Sequence, residues 1–186
     1  MVSLFFSYSH KDEDLRNELE THLGLLKRQG IISAWHDRRI TAGSDFNEAI
    51  SAELEKAGII LLLISANFLN SDYCYEKEMK RALEKHRAKA AVVIPVILHP
   101  CDWLSSPFGQ LRATPTDGKP ISMFANQHEA LALVVKDIRE VAKRFQVAPP
   151  ATKPEEAPSS QETEKSSERS SNLRIKNPSC YLSVAG

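Results

Sequence analysis

The stretch GIILLLIS at positions 58–65 sets six consecutive large aliphatic residues, Ile59 to Ile64, between a glycine and a serine. Successive side chains of a strand point to opposite faces, so an unbroken apolar strand needs a hydrophobic cover on both sides. The run is too short for an ordinary helix, and Gly58 and Ser65 are the kind of residues that punctuate strand ends. AAVVIPVIL at 90–98 has the same character, and VSLFFS at 2–7 and IISAW at 31–35 are shorter versions of it. Such strands belong inside a parallel sheet with helices on both faces.

The segments between them carry helical periodicity. From Asp12 to Gln29, Leu15, Leu19, Leu23 and Leu26 recur at spacings of four and three, and Gly30 is a C-terminal stop. Phe46, Ile50 and Leu54 form one stripe of a helix over 46–56. Asn70, Ser71 and Asp72 offer N-caps for a helix running to about Arg87, and a closing helix covers about 126–145 after a short strand around Ile121. DRRITAGS at 37–44 has the make-up of a loop. The order predicts a five-stranded parallel sheet. Ligands of such sheets sit beyond the carboxyl ends of the strands, which directs attention to the loops after Ser7, Trp35, Ser65 and Leu98.

Composition narrows the function classes. Twenty-four basic residues balance twenty-four acidic ones, so no net field steers the chain to nucleic acid or an anionic membrane. No apolar run is long enough to span a bilayer, and MVSLFFSYSHKDED lacks the basic start and long apolar stretch of a signal peptide. Cys74, Cys101 and Cys180 are odd in number and far apart, against a disulfide framework or a zinc site, and a reducing cytoplasm is expected. The order divides the chain at Val147. Residues 148–172 contain no Ile, Leu, Val or aromatic residue and four prolines, so 148–186 reads as a disordered tail whose last stretch resembles the stump of a second domain.

Several residues could carry chemistry. SYSHKDED after the first strand supplies hydroxyls and charges for a polar ligand, but the residues alone favour a helix cap that needs none. Asp12, Glu13 and Asp14 invite a magnesium-binding receiver reading, but the third strand ends in Ile64 and Ser65, without the aspartate such a site requires. Trp35 can pack, or stack on a planar ring at a crevice mouth, beside His36 and Asp37. In SDYCYEKEM at 71–79, a wheel at about 100° per residue puts Tyr75, Met79, Ala82 and Leu83 on one stripe. Glu76 and Glu78 fall on its opposite shoulders, with Cys74 one turn before Glu78. Periodicity favours two solvated carboxylates and does not choose between them.

Taken together, FFSYSHKDED, AWHDRRITAGSDFNEAI, LLLISANFLNSDYCYEKEMKRAL and VIPVILHPCDW, in that order, resemble a bacterial Toll/interleukin-1 receptor (TIR) domain over residues 1 to about 145. The resemblance implies a flavodoxin-like three-layer fold with five parallel strands. It implies either an enzyme that cleaves NAD⁺ at the nicotinamide–ribose bond, in bacterial defence or stress signalling, or a non-catalytic module that acts by TIR–TIR association. For the enzyme it implies Glu78 as catalytic carboxylate, four residues beyond Cys74, with Glu76 in reserve because the usual tryptophan is absent. It further implies nicotinamide stacked at Trp35, and a nucleotide site lined by Ser7, Tyr8 and Ser9. Asp37 and Gly43 stand in the gating loop, and Cys74 is beside the site. NAD⁺ is then substrate, with no metal or separate cofactor. The partners implied are other TIR domains and a separate sensor protein.

Overall fold

The computed structural model describes residues 1–35, 46–71 and 77–147. The chain divides into two compact units, Met1–Pro150 and Ala151–Gly186, and the second lies outside the described residues. In the first, strands β1 (Val2–Ser7), β2 (Ile32–Trp35), β3 (Ile59–Ile64) and β4 (Val92–Ile97) alternate with α1 (Glu13–His22), α2 (Gly24–Arg28), α3 (Phe46–Lys56), α4 (Ala66–Leu69) and α5 (Lys80–Arg87). Helix α6 (Gln127–Val147) closes the order. The sheet runs β2-β1-β3-β4, all parallel. Register pairs Phe5 with Trp35 and Ser7 with Leu62, and Ile64 with Ile97.

Alternation splits the core in two. Leu4, Phe6, Tyr8, Leu61 and Leu63 point to one face, where Leu19, Leu23 and Leu26 of the α1–α2 segment and Leu131, Val134 and Ile138 of α6 cover them. Phe5, Ile60, Leu62 and Ile64 point to the other, under Ile50 and Leu54 of α3, Phe68 of α4, and Met79, Ala82 and Leu83 at α5. All six β3 side chains are fully buried, as the unbroken aliphatic run requires. Each contributes about 1.5–3 kcal/mol of burial, and truncating one to alanine costs about 2–5 kcal/mol.

Three sequence expectations need correction. The predicted fifth strand around Ile121 is instead a 3₁₀ turn, Ile121–Met123. Beside β4 there is a single parallel bridge, Val96 to Thr114, with Thr114 N–H donating to Pro95 O and Ile97 N–H to Thr114 O. Pro115 brings no N–H, and Thr116 (φ 42°) and Asp117 (φ 55°) turn the chain away in the left-handed region, so the pairing stops after one residue. The sheet thus has four strands among the described residues.

The predicted 12–29 helix is two helices joined at Leu23, next to the weak helix former Gly24. It does end where Gly30 predicts. At φ 65°, Gly30 N–H reaches Lys27 O while Ile31 N–H reaches Leu26 O, a Schellman closure.

Of the predicted caps at Asn70, Ser71 and Asp72, Asn70 stands at the C-terminal end of α4, and Asp72 lies outside the described residues. Ser65 caps the short α4 by accepting from Phe68 N–H at 3.0 Å, and the α-helical part of α5 is Lys80–Arg87.

Residues 77–79, just before α5, take π-helical geometry. A wheel at 100° per residue does not hold through such a turn. Glu78, expected on a solvated shoulder, is 7% exposed.

Candidate functional site

Strand polarity brings the loops after β1, β3 and β4 to one end of the sheet. Asp12 is buried there, and its carboxylate does not cap α1. It accepts from Ser65 Oγ at 2.5 Å and from Asn67 Nδ2 at 3.1 Å, tying the turn after β1 to the turn after β3. Cys101, beyond β4, is half-buried close by. Burial pushes its thiol pKa up from 9.0, and the charges of Asp102 and Asp12 push it further. Among the described residues, no group of three or more His, Cys, Asp or Glu side chains could hold a metal ion.

Ser7 and Tyr8 are adjacent and point to opposite faces of the sheet. Ser7 follows Phe5 onto the face covered by α3 and α5. It is fully buried, and its Oγ has no hydrogen-bond partner among the described residues. Tyr8 belongs to the core on the other face, with the Arg16 guanidinium 5.1 Å from its ring centroid. That guanidinium is itself 2% exposed and is held by Glu20 at 2.7 Å and Glu13 at 3.5 Å. Ser9 precedes the 3₁₀ turn His10–Asp12, and its carbonyl accepts from Asp12 N–H at 2.8 Å. Of the predicted trio, Ser7 turns its side chain towards the α3–α5 side and Tyr8 turns away from it.

Glu78 lines a cleft of about 260 Å³ between α3 and α5, with Ile50, Leu54, Glu55, Lys77 and Arg81. The two helices are clamped at this cleft. Arg81 donates to both oxygens of Glu55, at 2.5 and 3.0 Å, and to Glu84 at 2.8 Å. Lys85, 5% exposed, donates its ammonium to Leu54 O and Glu55 O at the C-terminal end of α3, where carbonyls lack helical partners. Ser7 is not among the residues lining this cleft. Trp35 ends β2 with its backbone beside Phe5. Asp37, Gly43, Cys74 and Glu76 lie outside the described residues.

Sequence reading missed the Asp12–Ser65–Asn67 link and the buried Arg16. The only signal for the first was that Asp12 and Ser65 both follow strands that prove to be neighbours.

These features define an open parallel α/β domain with its polar loops gathered at the carboxyl ends of the strands. More particularly, the chain belongs to the TIR domain family, whose profile matches residues 4–133. It is 51% identical over 183 residues to the uncharacterised protein y4lF of Sinorhizobium fredii. That match covers 94% of this chain, and the chain spans 56% of that relative's length. Among solved structures it is similar to the TIR domain of the Toll-related receptor TRR-2 from Hydra magnipapillata (TM-score 0.50, 19% identity, 78% of this chain and 95% of the other). It is also similar to the TIR domains of the activated Roq1 resistosome, which recognises the pathogen effector XopQ (TM-score 0.55, 14% identity, 74% and 99%). No helix among the described residues is long and apolar enough to cross a membrane.

Proposed function

We propose that this TIR domain cleaves NAD⁺ at the nicotinamide–ribose bond, with Glu78 as the catalytic carboxylate. The observation that carries the reading is the burial of Glu78 in a cleft, on a π-helical turn, where periodicity alone predicts a solvated carboxylate. Turns of this kind recur at functional sites.

One carboxylate suffices for the chemistry. Glycosidases need an acid to protonate the leaving oxygen. The nicotinamide of NAD⁺ is already cationic and departs neutral, so no proton donor is required. Glu78 then stabilises the positive, oxocarbenium-like ribose, and water or the adenine of the same molecule attacks it. The products are nicotinamide with ADP-ribose or a cyclic ADP-ribose. The Ser7 Oγ, without a partner among the described residues, supports a polar contact on the same side of the sheet. Defence or stress signalling would be the setting, with a separate sensor and TIR–TIR association as the trigger.

A second reading, a module that acts only by association with other TIR domains, is favoured by the exposed apolar side chains of Leu104 and Met123.

Nicotinamide release from NAD⁺ by concentrated protein separates the two. Glu78→Gln keeps the shape and removes the charge, and release is expected to fall by about 10²–10³-fold, while Glu76→Gln retains it. Undiminished release from Glu78→Gln would remove Glu78 from its role. No release from the wild type even after induced assembly, together with self-association by sedimentation, would leave the association module.

A further inference from the structure

The face of α6 that meets α1 carries a group of cations. Ala132, Val135, Lys136 and Arg139 form one stripe of α6, and with His22 from the end of α1 they line a cleft of about 390 Å³. That volume is in the range of small-molecule sites. The lining contains two permanent cations and an imidazole, and no carboxylate.

Net charge does not explain this, because the chain as a whole is neutral. The α6 acids Glu129, Asp137 and Glu140 do not line the cleft. Asp137 accepts from Thr114 Oγ1 at 2.5 Å, and Glu140 lines a different cleft on the next stripe, with Arg112 and Arg144. Neither Lys136 nor Arg139 makes a hydrogen bond or ion pair with a described residue, although Arg139 is half-buried.

His22 is already fixed. Its Nε2 lies 3.1 Å from Nδ1 of His128, in the first turn of α6, with the rings stacked at 26° and 5.3 Å between centroids. One ring donates to the other, and the accepting ring carries its own N–H on its second nitrogen. The positive end of the α6 dipole is close to the pair.

We propose that this cleft binds a phosphate group of a soluble small molecule. Arg139 supplies a planar fork of donors, Lys136 a point charge, and the His22–His128 pair a further N–H. The cleft is on the α1–α6 face of the sheet, and Glu78 is on the α3–α5 side, so the site is separate from the proposed NAD⁺ chemistry and does not rest on it.

The test follows the imidazole ¹H–¹⁵N signals of His22 and His128 in the full chain. Inorganic phosphate, inorganic pyrophosphate and ADP-ribose are titrated at constant ionic strength, with sodium chloride as control. Saturable shifts with phosphate or pyrophosphate are expected, weakened about ten- to hundredfold in Arg139→Gln, weakened also in Lys136→Gln, and unchanged in Glu78→Ala. Tighter binding of ADP-ribose than of pyrophosphate would identify a nucleotide as the carrier of the phosphate. Shifts that chloride reproduces, or that survive both Arg139→Gln and Lys136→Gln, would overturn the proposal. So would binding to phosphatidylserine vesicles without any response to the soluble anions, which would make the patch a membrane contact. Circular dichroism of each variant confirms that it is folded.

Discussion

Ser65 Oγ donates to the buried Asp12 carboxylate at 2.5 Å and at the same time accepts from Phe68 N–H at 3.0 Å. One hydroxyl therefore caps α4 and joins the chain after β3 to the turn after β1. Asp12→Ala leaves Ser65 and Asn67 without their acceptor and is expected to cost about 2–4 kcal/mol. Ser65→Ala, which loses the cap and one bond, should cost about 1–3 kcal/mol. Because the two residues share an interaction, urea unfolding of the double variant should show a cost smaller than the sum of the single ones. Additive costs would mean that the link contributes nothing.

Lys85 is the clamp between α5 and the end of α3. Replacing it with methionine preserves most of the stem packing and removes two charge-assisted bonds, an expected loss of about 1–3 kcal/mol at pH 7. Burial holds the ammonium below its ordinary 10.5, opposed by the charge of Glu55. Between the lowered value and 10.5 the folded chain holds fewer protons than the unfolded one. This group's contribution to folding therefore rises with pH through that window. The stability difference between wild type and Lys85→Met should move in favour of wild type as the pH is raised towards 10.5.

The Glu55–Arg81 pair has good geometry and lies in the open. The hydrogen bond from Arg81 holds the Glu55 carboxyl below its ordinary 4.5. Its contribution is present above 4.5 and is lost as pH falls through the folded-state value. An NMR titration should give Glu55 a midpoint below 4.5 that returns towards it in Arg81→Gln. The urea midpoint at pH 7 should barely move, because exposed pairs are screened and entropically costly.

Lys89 terminates α5 in the left-handed region at φ 58°, where Lys89 N–H donates to His86 O and Ala90 N–H to Lys85 O. A glycine meets that requirement without the Cβ penalty. Lys89→Gly is expected to raise stability by about 0.5–1 kcal/mol in urea unfolding. Gly118→Ala is the converse case. Its φ is 93°, and an added Cβ would lie 2.5 Å from Trp103 Cζ2, so a loss above 1 kcal/mol is expected.

How far the sequence reaches depends on the range of the interaction concerned. The β3 run and the Gly30 stop are local facts of composition and backbone freedom, and both are legible. The fifth strand is not. Ile121 has the apolar character of a strand residue, but left-handed backbone at Thr116 and Asp117 decides where pairing ends. The Asp12–Ser65 bond spans 53 positions and exists only once β1 and β3 are neighbours. Family resemblance groups Ser7, Tyr8 and Ser9, whereas strand alternation divides Ser7 from Tyr8. Glu78 was half legible, since its place next to the Met79–Leu83 stripe follows from spacing while its burial follows from a turn that spacing does not reveal.

That turn uncouples two requirements. In a helix of uniform pitch, the direction of the residue at 78 would be dictated by how Met79, Ala82 and Leu83 seat on the sheet. With residues 77–79 wound more widely, the heading of the carboxylate is set by the turn that Met79 anchors, and the docking of α5 beyond it by Ala82 and Leu83. Positions 82 and 83 can then vary in sequence without re-aiming Glu78, and the lip of the α3–α5 cleft can vary without unseating the helix.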